Sequence, residues 1–451
     1  MGIEIGIEWL TLIMFGSLLV LLMAGLPLAF VTGGLACVFL FILGDARALN
    51  IVPSRIFPLM TNYQLSAIPL FIFMAAMLER AGIINDMFDV IYKVLGGVKG
   101  GLASATIIAS TILAAMVGVI GAAVVTMGII ALPAMLKRKY EPKIAMGSIM
   151  AGGTLGILIP PSILAIIYAV VAEQSVGELF IGAVIPGLML SSMYIAYVTI
   201  RSYINPELGP AIPEEERVTT AEKFRLIGKM TAPITLVVVV LGIIFSGVAT
   251  PVEAAGIGTF GAFIVAAIHR KLDWPTVREA CTTTLKASAM VIWIMFGATI
   301  FVGLYVLEGG QQFVQEALAA TGLGPWGILI LMQILLVILG MFLDWVGILL
   351  LCVPIFVPII KALGAQAFGL SSPEDLVLWF GVLYLVNMQM SFLSPPFGYA
   401  LFYLRGVAPP EIPMGEIFRS ALPFLGLQVL GLVLCMLFPE IITWLPSLVY
   451  G

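Results

Sequence analysis

Charge is what this 451-residue chain has least of. Asp, Glu, Lys and Arg make up 10% of it, while 61% is hydrophobic. Soluble domains average about 25% charged residues, so a water-soluble enzyme and a nucleic-acid-binding module are both excluded. There is a single histidine, His269, beside Arg270-Lys271 at the end of an apolar run. That position suits an interfacial anchor and argues against a histidine proton relay. The four cysteines, Cys37, Cys281, Cys352 and Cys435, are far apart and lack metal-ligand spacing, so they read as small apolar residues. No HExxH, no phosphate-cradling GxxxxGKS/T and no nucleophile motif occurs. An ATP-driven pump and a membrane enzyme therefore lack the residues their chemistry needs. The start, MGIEIGIEWL, carries Glu4 and Glu8 instead of a basic n-region. A first membrane span is expected there rather than a cleaved signal peptide.

What is present is apolar sequence in runs near the roughly 20 residues that cross a bilayer. An all-α, polytopic membrane protein is expected. Ile7 to Met23 and Leu28 to Leu43 flank the turn Ala24-Gly25-Leu26-Pro27 and read as a tight helical hairpin. Asp45 to Tyr63 reads as a polar loop, and Leu65 to Leu78 as a span. Arg80 to Lys99 mixes both charge signs with Ile, Met and Phe, the pattern of an amphipathic interfacial helix. Leu102 to Leu136 reads as a re-entrant hairpin turning within MVGVIGAA, Met116 to Ala123; by length, two full crossings are the alternative. Leu179 to Ile200 spans again. Arg201 to Lys229, with Pro206, Pro210, Pro213 and Glu214-Glu215-Glu216, reads as a solvated linker.

The second half repeats the plan. Ile234 to Phe245 and Ala254 to Ile268 flank GVATPVEAA, where Glu253 reads as a charge at a helix start, and His269 to Lys286 reads as a polar loop. Ala287 to Leu307 spans, and Glu308 to Leu323 is a second interfacial stretch. Trp326 to Ile360 reads as a second hairpin with its tip near Asp344-Trp345-Val346-Gly347, and Phe418 to Phe438 closes the chain. The expected division is residues 1–200, a linker over 201–230, and residues 231–451. Each repeat would hold about five crossings and one hairpin, an odd number, so the second would be inverted. With a periplasmic amino terminus, every Lys and Arg except Arg47, Arg55 and Lys361 falls on the cytoplasmic side, as the positive-inside rule favours.

Two spans are interrupted. Lys143 to Val171 contains GGTLGILIPPSI with Pro160-Pro161, and Leu376 to Leu404 contains Ser394-Pro395-Pro396. Consecutive prolines break a helix, and freed backbone at membrane depth survives only where protein, ion or water satisfies it. Paired interruptions in corresponding halves point to a secondary transporter's binding site near the midplane.

The stretches GGTLGILIPPSI, AEQSVGELFIGAVIPGLML, TPVEAAG at Thr250 and LGMFLDWVGILLLCVPIFVPII at Leu339 resemble the large membrane subunit of tripartite ATP-independent periplasmic (TRAP) transporters, over nearly the whole chain. The resemblance implies an elevator-type permease of the ion-transporter superfamily in the bacterial inner membrane. It also implies a small four-helix membrane subunit and a periplasmic substrate-binding protein as partners, Na⁺ as coupling ion and a carboxylate-bearing cargo. The serine-rich tip common in the family's first hairpin is replaced here by Val117, Gly118, Val119 and Ile120, which removes hydroxyl ligands there. A stand-alone carrier or cation/proton antiporter of the same superfamily is the alternative.

Sodium seeks oxygen, and unwound backbone offers carbonyls. One Na⁺ site is expected between Gly118 to Gly121 and Gly153-Thr154. The other is expected between Asp344 to Gly347 and the break at Ser391, Ser394 and Pro395. Thr154, Pro160, Pro161, Ser162, Asn387, Gln389, Pro395 and Pro396 are the expected substrate-binding residues. The same Gly, Ser and Thr residues would also serve close helix packing, and Asp344 could simply cap a helix.

Overall fold

A computed structural model describes residues 5–117, 120–213, 217–396 and 398–450, and every regular element among them is helical. Six helices are long and apolar enough to cross a bilayer alone, and two bent pairs raise that to eight. The shorter apolar helices belong to the amino-terminal pair, the hairpins and the first broken span.

One group of helices forms a frame. Leu28–Ala48 packs on Trp274–Leu307, Ala67–Arg80 packs on Pro251–Ile268, and Ala67–Arg80 and Trp274–Leu307 pack on each other. Small residues make the first crossing close. A Cβ on Gly297 would sit 2.5 Å from both the Ala29 carbonyl oxygen and Thr32 Oγ1, so only glycine lets the two backbones meet. Thr250 and Glu253 form a capping box that satisfies the first amides of Pro251–Ile268.

The second group holds both hairpins and both interrupted helices. The first hairpin, Gly101–Val117 and Ile120–Lys137, embraces Pro142–Thr154 with both arms. The second, Pro325–Gly340 and Trp345–Leu363, flanks Pro373–Leu393. The short halves beyond the breaks then cross over. Ile163–Ala172 packs on the return arm of the second hairpin, and Tyr399–Arg405 on the return arm of the first. Pro373–Leu393 is the axis of this group, buried on every side from Leu376 to Leu393. A helix apolar all round belongs in such a core.

Several expectations change. The polar loop at 45–63 contains the helix Ile51–Met60, which meets Tyr63–Arg80 at 59°. His269 to Lys286 is mostly helix: Trp274–Leu307 runs 34 residues from an Asp273 cap, about 51 Å at 1.5 Å per residue. The linker is only partly solvated. Gly209 and Leu208 accept hydrogen bonds from the Gly100 and Glu141 amides, and the Ile212 amide donates to Gly96. These bonds stitch 208–212 to the bases of the first hairpin and first broken helix. Glu214 to Glu216 lie outside the described residues. The second hairpin turns at Met341 to Asp344, not at Asp344 to Gly347, because Asp344 accepts from the Val346 amide and starts the return arm. A last helix, Glu440–Tyr450, was not expected; it packs on Val176–Ile204. The breaks are also unequal in placement, after 13 residues in Pro142–Thr154 and 21 in Pro373–Leu393. The latter starts early, at a Ser372 cap with Glu374 and Asp375 in its first turn.

Candidate functional site

The first break is sealed. Thr154 ends the helix, Leu155–Ile157 tightens to a 3-10 turn, and a cis Pro160–Pro161 bond leads to Ser162, whose hydroxyl caps Ile163–Ala172 by accepting from the Ala165 amide. Pro160, Pro161 and Ser162 are all buried, and Ile159 fills the space over Gly187. Gly152 and Gly153 lie in the crotch of the first hairpin, against Ser110 on one arm and Val124 on the other. Thr154 Oγ1 donates to the Ala151 carbonyl and accepts from Gln428 Nε2 at 3.3 Å.

The second break is open. It too contains a cis bond, Pro395–Pro396, but Pro396 is exposed. Ser394 Oγ donates to the Met390 carbonyl, and Gly340 at the end of the second hairpin's first arm is seated directly on Ser391. Gly347, one turn into the return arm, abuts Leu28 of the frame. Asp344 faces a cavity of about 750 Å³ between the two helix groups. Leu28, Phe30 and Trp293 line it from the frame, and Phe342, Tyr399 and Tyr403 from the hairpin and the second short half. Tyr403 also covers Gly121, where a Cβ would be 3.1 Å from the ring. Gly121, in the first turn of the return arm of the first hairpin, thus stands behind the cavity wall that Asp344 shares. Gly118 lies outside the described residues.

Between the breaks runs a buried polar seam. Asn387 Nδ2 donates to the Gln333 carbonyl and to Gln333 Oε1 at 2.7 Å. Gln389, two residues on and so about 200° round the helix, is turned away from that hairpin. Asn387 Oδ1, both ends of the Gln389 amide, and the Ser391, Ser110 and Gln428 oxygens have no hydrogen-bond partner among the described residues. Buried orphans of this kind are uncommon and call for an explanation. Ser110 beside Gly152 and Ser391 beside Gly340 offer hard oxygen atoms, one at each break, which fits an oxygen-seeking cation. Gln333, Gln428, Ser110, Tyr399 and Tyr403 escaped the sequence reading. A lone glutamine within LGLQVLG or LMQILL is the signal that marks the first two.

This architecture has a match in sequence. Residues 15–441 fit the family model for the DctM component of the tripartite ATP-independent periplasmic transporters. The chain belongs to that family. This DctM chain is 30% identical to the C4-dicarboxylate TRAP transporter large permease protein of Vibrio cholerae over 96% of each chain. It is 29% identical to the sialic acid TRAP transporter large permease protein of the same organism, over 96% of this chain and 97% of that one. Among solved structures, its fold is similar to that of the Alcanivorax borkumensis YdaH transporter, with a TM-score of 0.63 at 15% identity over 95% of this chain and 99% of that one. The protein is a TRAP large permease subunit, a multi-pass membrane protein and not an enzyme.

Proposed function

We propose that this DctM subunit is a Na⁺-coupled importer of a small carboxylate-bearing solute, working as an elevator in the bacterial inner membrane. The hairpins and interrupted helices form the moving block, and the frame helices stay fixed. The cavity between block and frame carries this reading, because Asp344 lies there between both groups and Tyr399 and Tyr403, just beyond the second break, line it. Two inverted repeats, with the amino terminus periplasmic, account for the exchanged packing of the short halves. A periplasmic binding protein would deliver the cargo, and a small four-helix subunit would widen the frame. Relatives named for C4-dicarboxylates and for sialic acid favour a carboxylate cargo.

Ser110 with the carbonyls near Gly153, and Ser391 with those near Ser394, would hold Na⁺; bound there, the ion supplies the positive charge that draws the anion in. Asp344 orients the return arm of the second hairpin through the Val346 amide. Tyr399 and Tyr403 offer hydroxyls to the cargo. Proteoliposomes containing both membrane subunits test the reading. Uptake should need the binding protein and an inward Na⁺ gradient. Uptake driven by protons alone would overturn the ion assignment, and uptake without the binding protein would favour a stand-alone carrier.

A further inference from the structure

At 34 residues and about 51 Å, Trp274–Leu307 exceeds the roughly 30 Å hydrocarbon core of a bilayer. Its apolar part ends at Leu307, so the first three turns reach the headgroup layer. There, Arg80, Trp274, Arg278, Glu279, Thr282 and Lys286 line a cavity of about 420 Å³. Glu279 is spent on Arg80, at 2.9 Å. Arg278 and Lys286 have no acidic partner among the described residues. The cavity therefore keeps two uncompensated cations beside the hydroxyls of Thr282 and Thr283.

A stripe leads out of it. Arg278, Thr282, Leu285, Ala289, Ile292 and Phe296 follow one another at steps of three or four, so they share one face of the helix. Thr282, Leu285 and Ala289 are exposed, Leu285 at 70%. The stripe ends in a second cavity of about 320 Å³ lined by Leu59, Leu65, Pro69, Ile292, Met295 and Phe296. Pro69 lies 11 residues before Arg80 on the facing helix, again on one face. From Glu279 to Ile292 is about 20 Å along the helix, somewhat more than one leaflet's half of the core. Cations at headgroup level, an open apolar track and a slot near the midplane match one amphiphile end to end.

We propose that this groove is a binding site for an anionic glycerophospholipid, its phosphate on Arg278 and Lys286 and one acyl chain along Leu285 to the slot at Ile292. The lipid would lie along Trp274–Leu307, passing Ala289 at the edge of the cavity that Asp344 faces, and its acyl chain would join that helix to Ala67–Arg80 at the slot.

The test uses the full-length purified subunit in detergent. Its melting temperature is followed during titration with dioleoylphosphatidylglycerol, dioleoylphosphatidylcholine or inorganic phosphate. Phosphatidylglycerol should stabilise the wild type, phosphatidylcholine should do so much less, and inorganic phosphate should do nothing. The R278Q/K286Q variant should start from an unchanged melting temperature and lose roughly 30-fold in preference for phosphatidylglycerol, two cations' worth near an anionic headgroup. Leu285→Asn, which makes the track polar and adds no charge beside the cations, should also weaken the response. An equal response to both lipids overturns the assignment, as does an unaltered response in either variant. A full response to inorganic phosphate makes the site one for soluble anions. If R278Q/K286Q loses the small membrane subunit on co-purification while its lipid response is intact, the groove is a protein interface.

Discussion

Gly340→Ala is the sharpest perturbation of the second break. A Cβ at Gly340 would land on the Ser391 Cβ and hydroxyl and 3.3 Å from its Cα. Rotating the serine cannot relieve a clash with its own Cβ. Carbon contacts settle at about 3.5–4.0 Å, so the hairpin arm must back away by roughly 1 Å or more. Overpacking of this kind costs about 1–3 kcal/mol. Because Gly340 is the last residue of its arm, the usual gain from replacing a helical glycine is small. Ser391→Gly removes the obstruction at a propensity cost of about 0.5 kcal/mol, since the Ser391 hydroxyl has no partner to lose. The double variant should then be no less stable than Ser391→Gly alone, giving a coupling energy of about 1–3 kcal/mol. Thermal unfolding of the four proteins in one detergent measures it, and Na⁺-driven uptake shows whether hairpin closure follows the same pattern. Additive effects of the two substitutions would refute the direct Gly340–Ser391 seat.

Asp344→Asn keeps the shape of the hairpin turn and removes its charge; Na⁺ stimulation of uptake should drop at least tenfold, and unchanged stimulation would remove Asp344 from the ion path. Gln428→Leu deletes the amide whose nitrogen makes a long hydrogen bond to Thr154 at the first break, so uptake should fall more than stability does; a large loss of stability with normal uptake would make Gln428 purely structural. In the linker helix Thr220–Lys229, hydrogen bonds from the Thr219 amide and hydroxyl hold the Glu222 carboxyl below its ordinary pKa of 4.5. A lowered folded-state pKa means the cap supports the helix above the unfolded value and is lost as pH falls through the lower folded one. Protection of the first-turn amides, relative to their intrinsic exchange rates, should therefore fall on acidification below about pH 4.5 in the wild type and show no such step in Glu222→Gln.

Much of the plan was legible because lipid is a strict solvent. Any spanning segment must satisfy its own backbone, so apolar length, Pro-Pro pairs and turn glycines map almost directly onto helices, breaks and hairpins. That logic anticipated helix breaks at both Pro-Pro pairs and a helix at the amphipathic segment Ile83–Leu95. It failed where polarity and structure part company. Trp274 to Lys286 is polar yet helical, since an Asp273 cap starts the helix there and the hydrogen-bond ladder runs on from it unbroken into the apolar segment. Residues 208–212 look like solvated linker yet dock by backbone bonds, which leave no trace in side-chain composition.

Sequence by itself determined the class of protein, the two Pro-Pro interruptions and the hydroxyl-bearing residues within its spans. Those follow from local chemistry: hydrophobicity, missing amides and hydroxyl content. Only the tertiary structure decided which break is sealed under Ile159 and which opens at Pro396, that Asp344 shares a cavity with the frame, and that Tyr403 lies over Gly121. Those facts depend on contacts between residues hundreds of positions apart, where packing of whole helices, not the preference of any segment, sets the neighbour.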